Sequence, residues 1–397
     1  METWSRLSYN LEARRSLRFT CFATTVHGLE DIAAGECREL IGVDAKPDVG
    51  KIIFEADLEQ IIKLNLASRT LHRIFIMLAR SQAETLDDVY KIARGIDYSE
   101  FINPDQTFAV RGERHSKDKP FTSLDMAAIV GRAVIESFKE KTGTRLKVNL
   151  DDPDVELYCL LRDSEFILGL NTTGKSLHRR YYRVYHHRAA LQPTIAASML
   201  RISGWEKKKR LLDPMCGGGT IPIEAALIAL KIPPGARKLA ELALQKLRFI
   251  EDWRIEMIAK KLEEEVNHST PIKIMGTDAS PKSIEGALKN AEKAGVLNQV
   301  KFLVKDVFKI GEWLEEEPDH ILMNPPYGIR MGIRKIEEFY ERVCKVLAEA
   351  APNAKLTVIV SKPTIFGRAL EKAGYQTTFK RQIVYGKLNA FIISAER

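Results

Sequence analysis

Arg210-Leu211-Leu212-Asp213-Pro214-Met215-Cys216-Gly217-Gly218-Gly219-Thr220 decides the fold class of this chain. A short apolar run ends on an acid, three glycines follow, and residues 221–230 then carry a helical apolar pattern. Strand, loop and helix in that order open a βαβ unit. The glycines permit positive φ and let a ligand approach the backbone. This is not the G-x-G-x-x-G of a dinucleotide loop, because Pro222 stands where the third glycine belongs. No Gly-Lys-Ser/Thr follows to make a phosphate loop either. Asp213 at its mouth suits an ammonium-bearing ligand better than a pyrophosphate.

The alternation continues downstream. Strands are expected at 272–278, 300–304, 320–324 and 356–361, and helices at 281–294, 335–350 and 363–373, with Gly295 as a helix stop. That spacing predicts a mostly parallel sheet. Residues 375–385 and 387–394 flank Gly386 without a helix between them, so the sheet should close on an antiparallel hairpin. Residues 231–270 read as a helical insert behind the first βα unit. Upstream, strands (18–23, 51–55, 107–111, 145–150, 156–162, 165–171) mix with helices (29–40, 57–66, 86–95, 123–141). This half reads as α+β in two small units, 1–66 and 67–175, joined by a linker at 176–190 to a domain spanning 191–397.

Composition sets the outer bounds. At 397 residues the chain is long enough for two or three domains, and 45% hydrophobic with 29% charged residues is globular composition. No apolar run of membrane-spanning length occurs, and Arg6, Arg14, Arg15 and Arg18 lie near the start without the apolar core of a secretory signal. Five scattered cysteines with no C-x-x-C pair argue against a disulfide framework or a zinc cluster and fit reduced cytosol. The net charge of +8 permits a polyanionic partner. Residues 1–190 are charge-balanced, yet 175–188 (KSLHRRYYRVYHHR) hold Lys175, Arg179, Arg180, Arg183 and Arg188 with interleaved tyrosines and no acid. Such a stretch suits phosphate contact and base stacking.

The sharpest motif is Asn324-Pro325-Pro326-Tyr327-Gly328, after the apolar run His320-Ile321-Leu322-Met323. Two prolines and a glycine stop the strand and hold an open turn at its C-terminal end, the edge where open α/β sheets bind ligands. The Asn324 side-chain oxygen and the Pro325 carbonyl offer acceptors to a planar amino group, and Tyr327 can stack on the ring that bears it. Asp278 and Asp306 stand at two further strand ends. The first can accept from ribose hydroxyls and the second from an adenine amino group. Asp278 lies much farther beyond Asp213 than the roughly 20 residues of an uninterrupted unit, a gap the helical insert would fill.

The D-P-x-x-G-x-G-T loop, the two later acids and N-P-P-Y resemble class I S-adenosylmethionine-dependent methyltransferases that act on exocyclic amino groups. R-G-E-R-H (residues 111–115), K-V-N-L-D-D-P-D (147–154) and L-G-L-N-T-T-G-K-S-L-H-R-R (168–180) are similar to a THUMP domain, an RNA-binding module. Nearly the whole chain thus resembles the THUMP-containing RNA guanine-N2 methyltransferases, in particular the archaeal and bacterial branch acting on guanosine 6 of tRNA. The resemblance implies a Rossmann-like seven-stranded domain behind ferredoxin-like and THUMP units, S-adenosylmethionine as cofactor, and tRNA as partner. It also implies no metal, no membrane, cytoplasmic location and action as a monomer.

Carried onto this sequence, it assigns Asp213, Gly217, Gly218 and Gly219 to the methionine end of the cofactor, with Cys216 as a small residue in the same cofactor-binding loop. Asp278 falls to the ribose, and Asp306 and Val307 to the adenine. Ala190, Leu191, Gln192, Pro193 and Thr194 line the site, and Asn324, Pro325, Pro326 and Tyr327 receive the base. Lys175, Arg179, Arg180 and Arg183 are left to contact RNA. N-P-P-Y also serves adenine-N6 DNA and glutamine methyltransferases; the alternatives are a methyltransferase of tRNA guanosine 10 or of ribosomal RNA and, more remotely, a non-catalytic RNA-binding protein.

Overall fold

The computed structural model describes residues 17–116, 118–186, 190–269, 271–328, 333–386 and 388–397. The chain runs β1 (Phe19–Thr25), α1 (Glu30–Ile41), β2 (Lys46–Asp48), β3 (Lys51–Ala56), α2 (Leu58–Ala67), β4 (Leu71–Gln82), α3 (Leu86–Arg94), β5 (Thr107–Arg114), α4 (Ser123–Thr142), β6 (Lys147–Val148), β7 (Val155–Arg162) and β8 (Glu165–Asn171). These strands form one eight-stranded sheet in the order β2-β3-β1-β4-β8-β7-β5-β6. Three helix starts carry reciprocal capping boxes, Asp57 with Gln60, Thr85 with Asp88 and Thr122 with Asp125. Each box satisfies backbone donors that the first turn leaves open.

The sheet runs through the boundary expected near residue 66. β4 pairs with β1 on one side and β8 on the other, so it stitches the two N-terminal units together. The sequence pattern alone does not mark this strand. Its Ile74, Phe75 and Ile76 are all buried, Ile74 and Ile76 in the core shared with the helices and Phe75 on the other face among side chains of neighbouring strands. A run buried on both faces does not alternate, and periodicity cannot then separate strand from helix.

The second half continues as α5 (Pro193–Ser203), β9 (Leu211–Asp213), α6 (Thr220–Ala229), α7 (Asp252–Glu264), β10 (Ile274–Asp278), α8 (Pro281–Ala294), β11 (Lys301–Val304), α9 (Ile310–Trp313), β12 (His320–Met323), α10 (Ile333–Ala350), β13 (Lys355–Val360), α11 (Pro363–Lys372), β14 (Gln376–Tyr385) and β15 (Leu388–Glu396). Its sheet has seven strands in the order β11-β10-β9-β12-β13-β15-β14, parallel through β13 and closed by the antiparallel hairpin. This is the Rossmann-like methyltransferase fold that the sequence led us to expect. Gly295 ends α8 with φ 76° and an N–H donated to the Ala291 carbonyl.

The insert does more than lengthen the first βα unit. Leu244, Leu247, Phe249, Ile255 and Leu262 are buried in the N-terminal core, not in that of their own domain. Gly235 brings the insert against α2: its N–H donates to the Leu66 carbonyl at 2.8 Å, and a Cβ there would sit 2.3 Å from the Asn65 carbonyl oxygen. Cutting the chain near residue 190 would therefore strip this apolar face of its cover.

Candidate functional site

Asp213 ends β9 and Asn324 follows β12, the neighbouring strand in the sheet. From β9 the chain turns to β10 and β11 on one side and returns to β12 and β13 on the other. The crevice between them is the switch point where such sheets bind ligands. A cleft of about 350 Å³ opens there, lined by Ala190, Leu191, Asp213, Cys216, Gly217, Gly218 and Asn324 among others. Seven of the residues singled out from the sequence thus meet in one place.

Asp213 is buried, and its Oδ1 accepts the Met215 N–H at 3.1 Å. Burial pushes its carboxyl well above the usual range, and the nearby Asp278 carboxylate adds to this. A bound cation would relieve both effects, so the acid is suited to an ammonium or sulfonium ligand. Asp278 reaches back across the loop, its Oδ2 accepting the Gly217 N–H at 3.0 Å and its Oδ1 the Ser280 N–H at 2.9 Å. Burial, followed by the two carboxylates, holds the Cys216 thiol in its protonated form. Cys216 is accordingly a small lining residue rather than a nucleophile.

The loop has little room for side chains. Gly217 and Gly219 have φ of 52° and 80°, and a Cβ on Gly219 would lie 3.0 Å from the Phe302 ring. Asn290 of α8, unnoticed in the sequence, clamps the loop from behind. Its Nδ2 donates to the Gly218 carbonyl at 2.9 Å, while its Oδ1 accepts the N–H groups of Val184 and Tyr185 at 3.0 and 2.9 Å. The glycine cradle and the two acids fit a small cationic nucleoside.

The Asn324 turn is pinned from below. Tyr340 Oη donates to the Pro326 carbonyl at 2.8 Å, and Ser361 Oγ to the Tyr327 carbonyl at 3.3 Å. Gly328 has φ 70° and packs on Ile336 so closely that a Cβ would meet its side chain at 2.8 Å. Nothing local in Lys335–Tyr340 signals this support. Asp306 follows β11 on the same edge, where it caps a helical turn by accepting the Phe308 N–H at 2.9 Å, and Val307 beside it is buried.

Other expected positions stand elsewhere. Gln192 and Thr194 turn from the cleft toward β4, where both meet His72 Nε2, at 3.3 and 3.2 Å, and Pro193 is buried at the start of α5. Gln192 Nε2 can only donate, so His72 Nε2 accepts and the ring is neutral. Burial, then the neighbouring His178, Arg180 and Arg73, lower the His72 pKa to about 3. Burial and Arg179 foremost lower that of His178 to about 4. Both lie below the ordinary value near 6.5, so the unfolded chain takes up protons first as pH falls. Stability should be fully present above about pH 6.5 and fall progressively below it toward pH 3. In thermal melts across that window, His72→Gln should flatten the dependence. An unchanged slope would contradict this assignment.

Arg180 requires a correction. Sequence reading placed it among the RNA contacts, but its side chain is 1% exposed and its Nε donates to Glu224 Oε1 at 3.0 Å. Nη2 reaches the Arg69 carbonyl and Nη1 that of Leu177, so the guanidinium is enclosed at the seam between the two halves. The interleaved tyrosines are also not free to stack on bases. Tyr182 is fully buried with its hydroxyl on Glu224, Tyr181 donates to the Ala294 carbonyl, and the Tyr185 ring lies against Gly286. Lys175 and Arg179 are exposed and Arg183 is half-buried. Residues 187–189 of the linker, with Arg188, lie outside the described residues, as do Arg6, Arg14 and Arg15.

Comparison with known proteins agrees with this architecture. Residues 180–390 match the RMKL-like methyltransferase domain, residues 83–171 the THUMP domain, and residues 20–75 the RlmL ferredoxin-like domain. The chain is 37% identical to a tRNA (guanine(6)-N2)-methyltransferase from Methanocaldococcus jannaschii, over 92% of this chain and 97% of that one. It is 38% identical to a protein of the same name from Archaeoglobus fulgidus, over 94% and 91%. Among solved structures, a predicted N6-adenine-specific DNA methylase from Listeria monocytogenes superposes with a TM-score of 0.84 at 28% identity, covering 98% of both chains.

Proposed function

This chain belongs to the RMKL-like methyltransferases that carry a THUMP domain, and on that premise we propose that it methylates the exocyclic N2 of a guanosine in tRNA, at position 6 of the acceptor stem. The observation that carries this reading is Asn324, set across the cleft from Asp213 on a turn held by Tyr340 and Ser361. Bound in the cleft, S-adenosylmethionine would supply an activated methyl group. Asp213 and the glycine loop hold its methionine end, Asp278 the ribose, and Asp306 with Val307 the adenine.

The chain's own task is mainly alignment. Asn324 Oδ1 and the Pro325 carbonyl accept the two N–H groups of the target amine, which raises electron density on nitrogen as it becomes tetrahedral. Tyr327 stacks on the base, which must leave its own stack at a cost of a few kcal/mol. No strong general base is required, since the proton is lost readily once nitrogen has been alkylated.

The N-P-P-Y turn would serve an adenine amino group equally well, and it is the THUMP domain that favours RNA. Labelled cofactor with bulk tRNA, DNA or protein separates these substrates, and label is expected in tRNA alone. Label in DNA would overturn the reading. Asp278→Ala should weaken cofactor binding by about 1.5–3 kcal/mol, the range for a hydrogen bond to a charged group, while RNA affinity holds. Unchanged cofactor affinity in calorimetry would remove Asp278 from the site.

A further inference from the structure

Among the described residues, the helices of the N-terminal core pack against one face of the eight-stranded sheet. On the other, Phe22, Phe75, Tyr158, Leu160 and Ile167 form a second cluster built of strand residues alone. Phe22 stacks on Phe75 with centroids 4.7 Å apart, and Phe75 on Tyr158 at 4.9 Å. Over this floor lies an open groove of about 1090 Å³, lined by Arg73, Arg162, His178 and Arg179 and by Val384 of the catalytic domain's closing hairpin.

The charge of this groove is unbalanced. Elsewhere on the sheet Arg80 pairs with Glu165 and Arg111 with Glu156. Among the described residues, none of Arg73, Arg162 and Arg179 forms an ion pair with a carboxylate. Arg162 Nε is buried and has no hydrogen-bond partner, which is costly unless something fills the position. The acid in the groove, Glu113, is already engaged by His115 at 2.7 Å and by the Tyr158 hydroxyl at 2.5 Å. The groove adjoins the segment that lines the cleft: His72 lines the groove and touches Gln192, two residues from the Ala190 that lines the cleft with Asn324.

We propose that this groove carries the sugar–phosphate backbone of the substrate RNA, with Arg73, Arg162 and Arg179 as its phosphate contacts and His72 at its junction with the cleft. The inference rests on the RNA reading of the site and adds the path by which the RNA reaches it. Because the floor rings are buried, the contact is electrostatic rather than stacking, and each lost cation should lower the salt slope of binding by about one.

The test uses the full-length protein with a tRNA that the wild type methylates. Arg73→Glu with Arg162→Glu, and separately the exposed Arg179→Glu, should each raise the RNA dissociation constant at least fivefold and flatten its dependence on salt. Cofactor affinity should stay within twofold, which also reports that each variant is folded. The exposed pair Lys260→Glu with Lys261→Glu on α7 serves as the control and should leave RNA binding unchanged. If Arg179→Glu binds RNA like the wild type, or the control loses as much affinity as the groove variants, the path is wrong. If wild-type protein methylates no RNA at all, it is the functional reading that fails instead.

Discussion

Asn324→Ala is expected to lower turnover by about 100- to 1,000-fold, the loss typical when a preorganised group on the reacting centre is removed. Cofactor affinity should move by less than about threefold, because the lost acceptor acts on the amine and not on the cofactor. Tyr327→Ala should be milder, and Tyr327→Phe milder still, since a phenyl ring retains the stacking surface. Single-turnover kinetics with saturating cofactor separate these effects from binding. An Asn324 variant within threefold of the wild type would end the assignment of this turn as the place where the amine is held.

Arg180→Ala should destabilise the protein by about 3–5 kcal/mol, the cost of leaving a buried partner charge uncompensated. Glu224, fully buried, would keep only the Tyr182 hydroxyl among its present partners, and the carbonyls of Arg69 and Leu177 would lose their donor. By contrast Arg334→Ala, which breaks an exposed pair with Glu338, should change stability by less than about 1 kcal/mol. Urea denaturation of both variants makes the comparison. If Arg180→Ala folded with wild-type stability but bound RNA tenfold more weakly, the surface role first read from the sequence would be correct and the buried one wrong.

The same seam explains why the halves should act as one body. Glu36 on α1 accepts the Arg69 and Thr70 N–H groups and the Ser68 and Thr70 hydroxyls, while Arg69 Nη2 donates to the Leu227 and Ile232 carbonyls of the catalytic domain. With the insert's apolar face buried in the N-terminal core, the half that carries the THUMP domain is held at a fixed reach from Asn324. Selecting one guanosine needs such a ruler, because the turn itself recognises only an amino group on a ring.

What the sequence made legible was local. The glycine loop, the acids at strand ends and N-P-P-Y each declare themselves within a few residues, because a turn's chemistry is written in the residues that form it. The parallel strands and their helices were readable for a related reason, since each helix carries its own apolar stripe and stop signal. What stayed hidden depends on partners far along the chain. Asn290 looks like any polar helix residue until Val184, 106 positions away, appears beside it. His72 acquires meaning only from Thr194, and Arg180 only from Glu224. Composition misled at residues 175–188 because an arginine on the surface and one in a buried ion pair contribute the same letter.

The central claim is that one guanosine amine is delivered to Asn324, and it is tested most directly by mass spectrometry of nucleosides from tRNA treated with the protein and S-adenosylmethionine, mapped to position. The expected result is N2-methylguanosine at position 6 and nowhere else, absent when Asn324→Ala replaces the wild type. A methyl group on adenosine, or guanosine methylation that persists undiminished in the Asn324 variant, would contradict it.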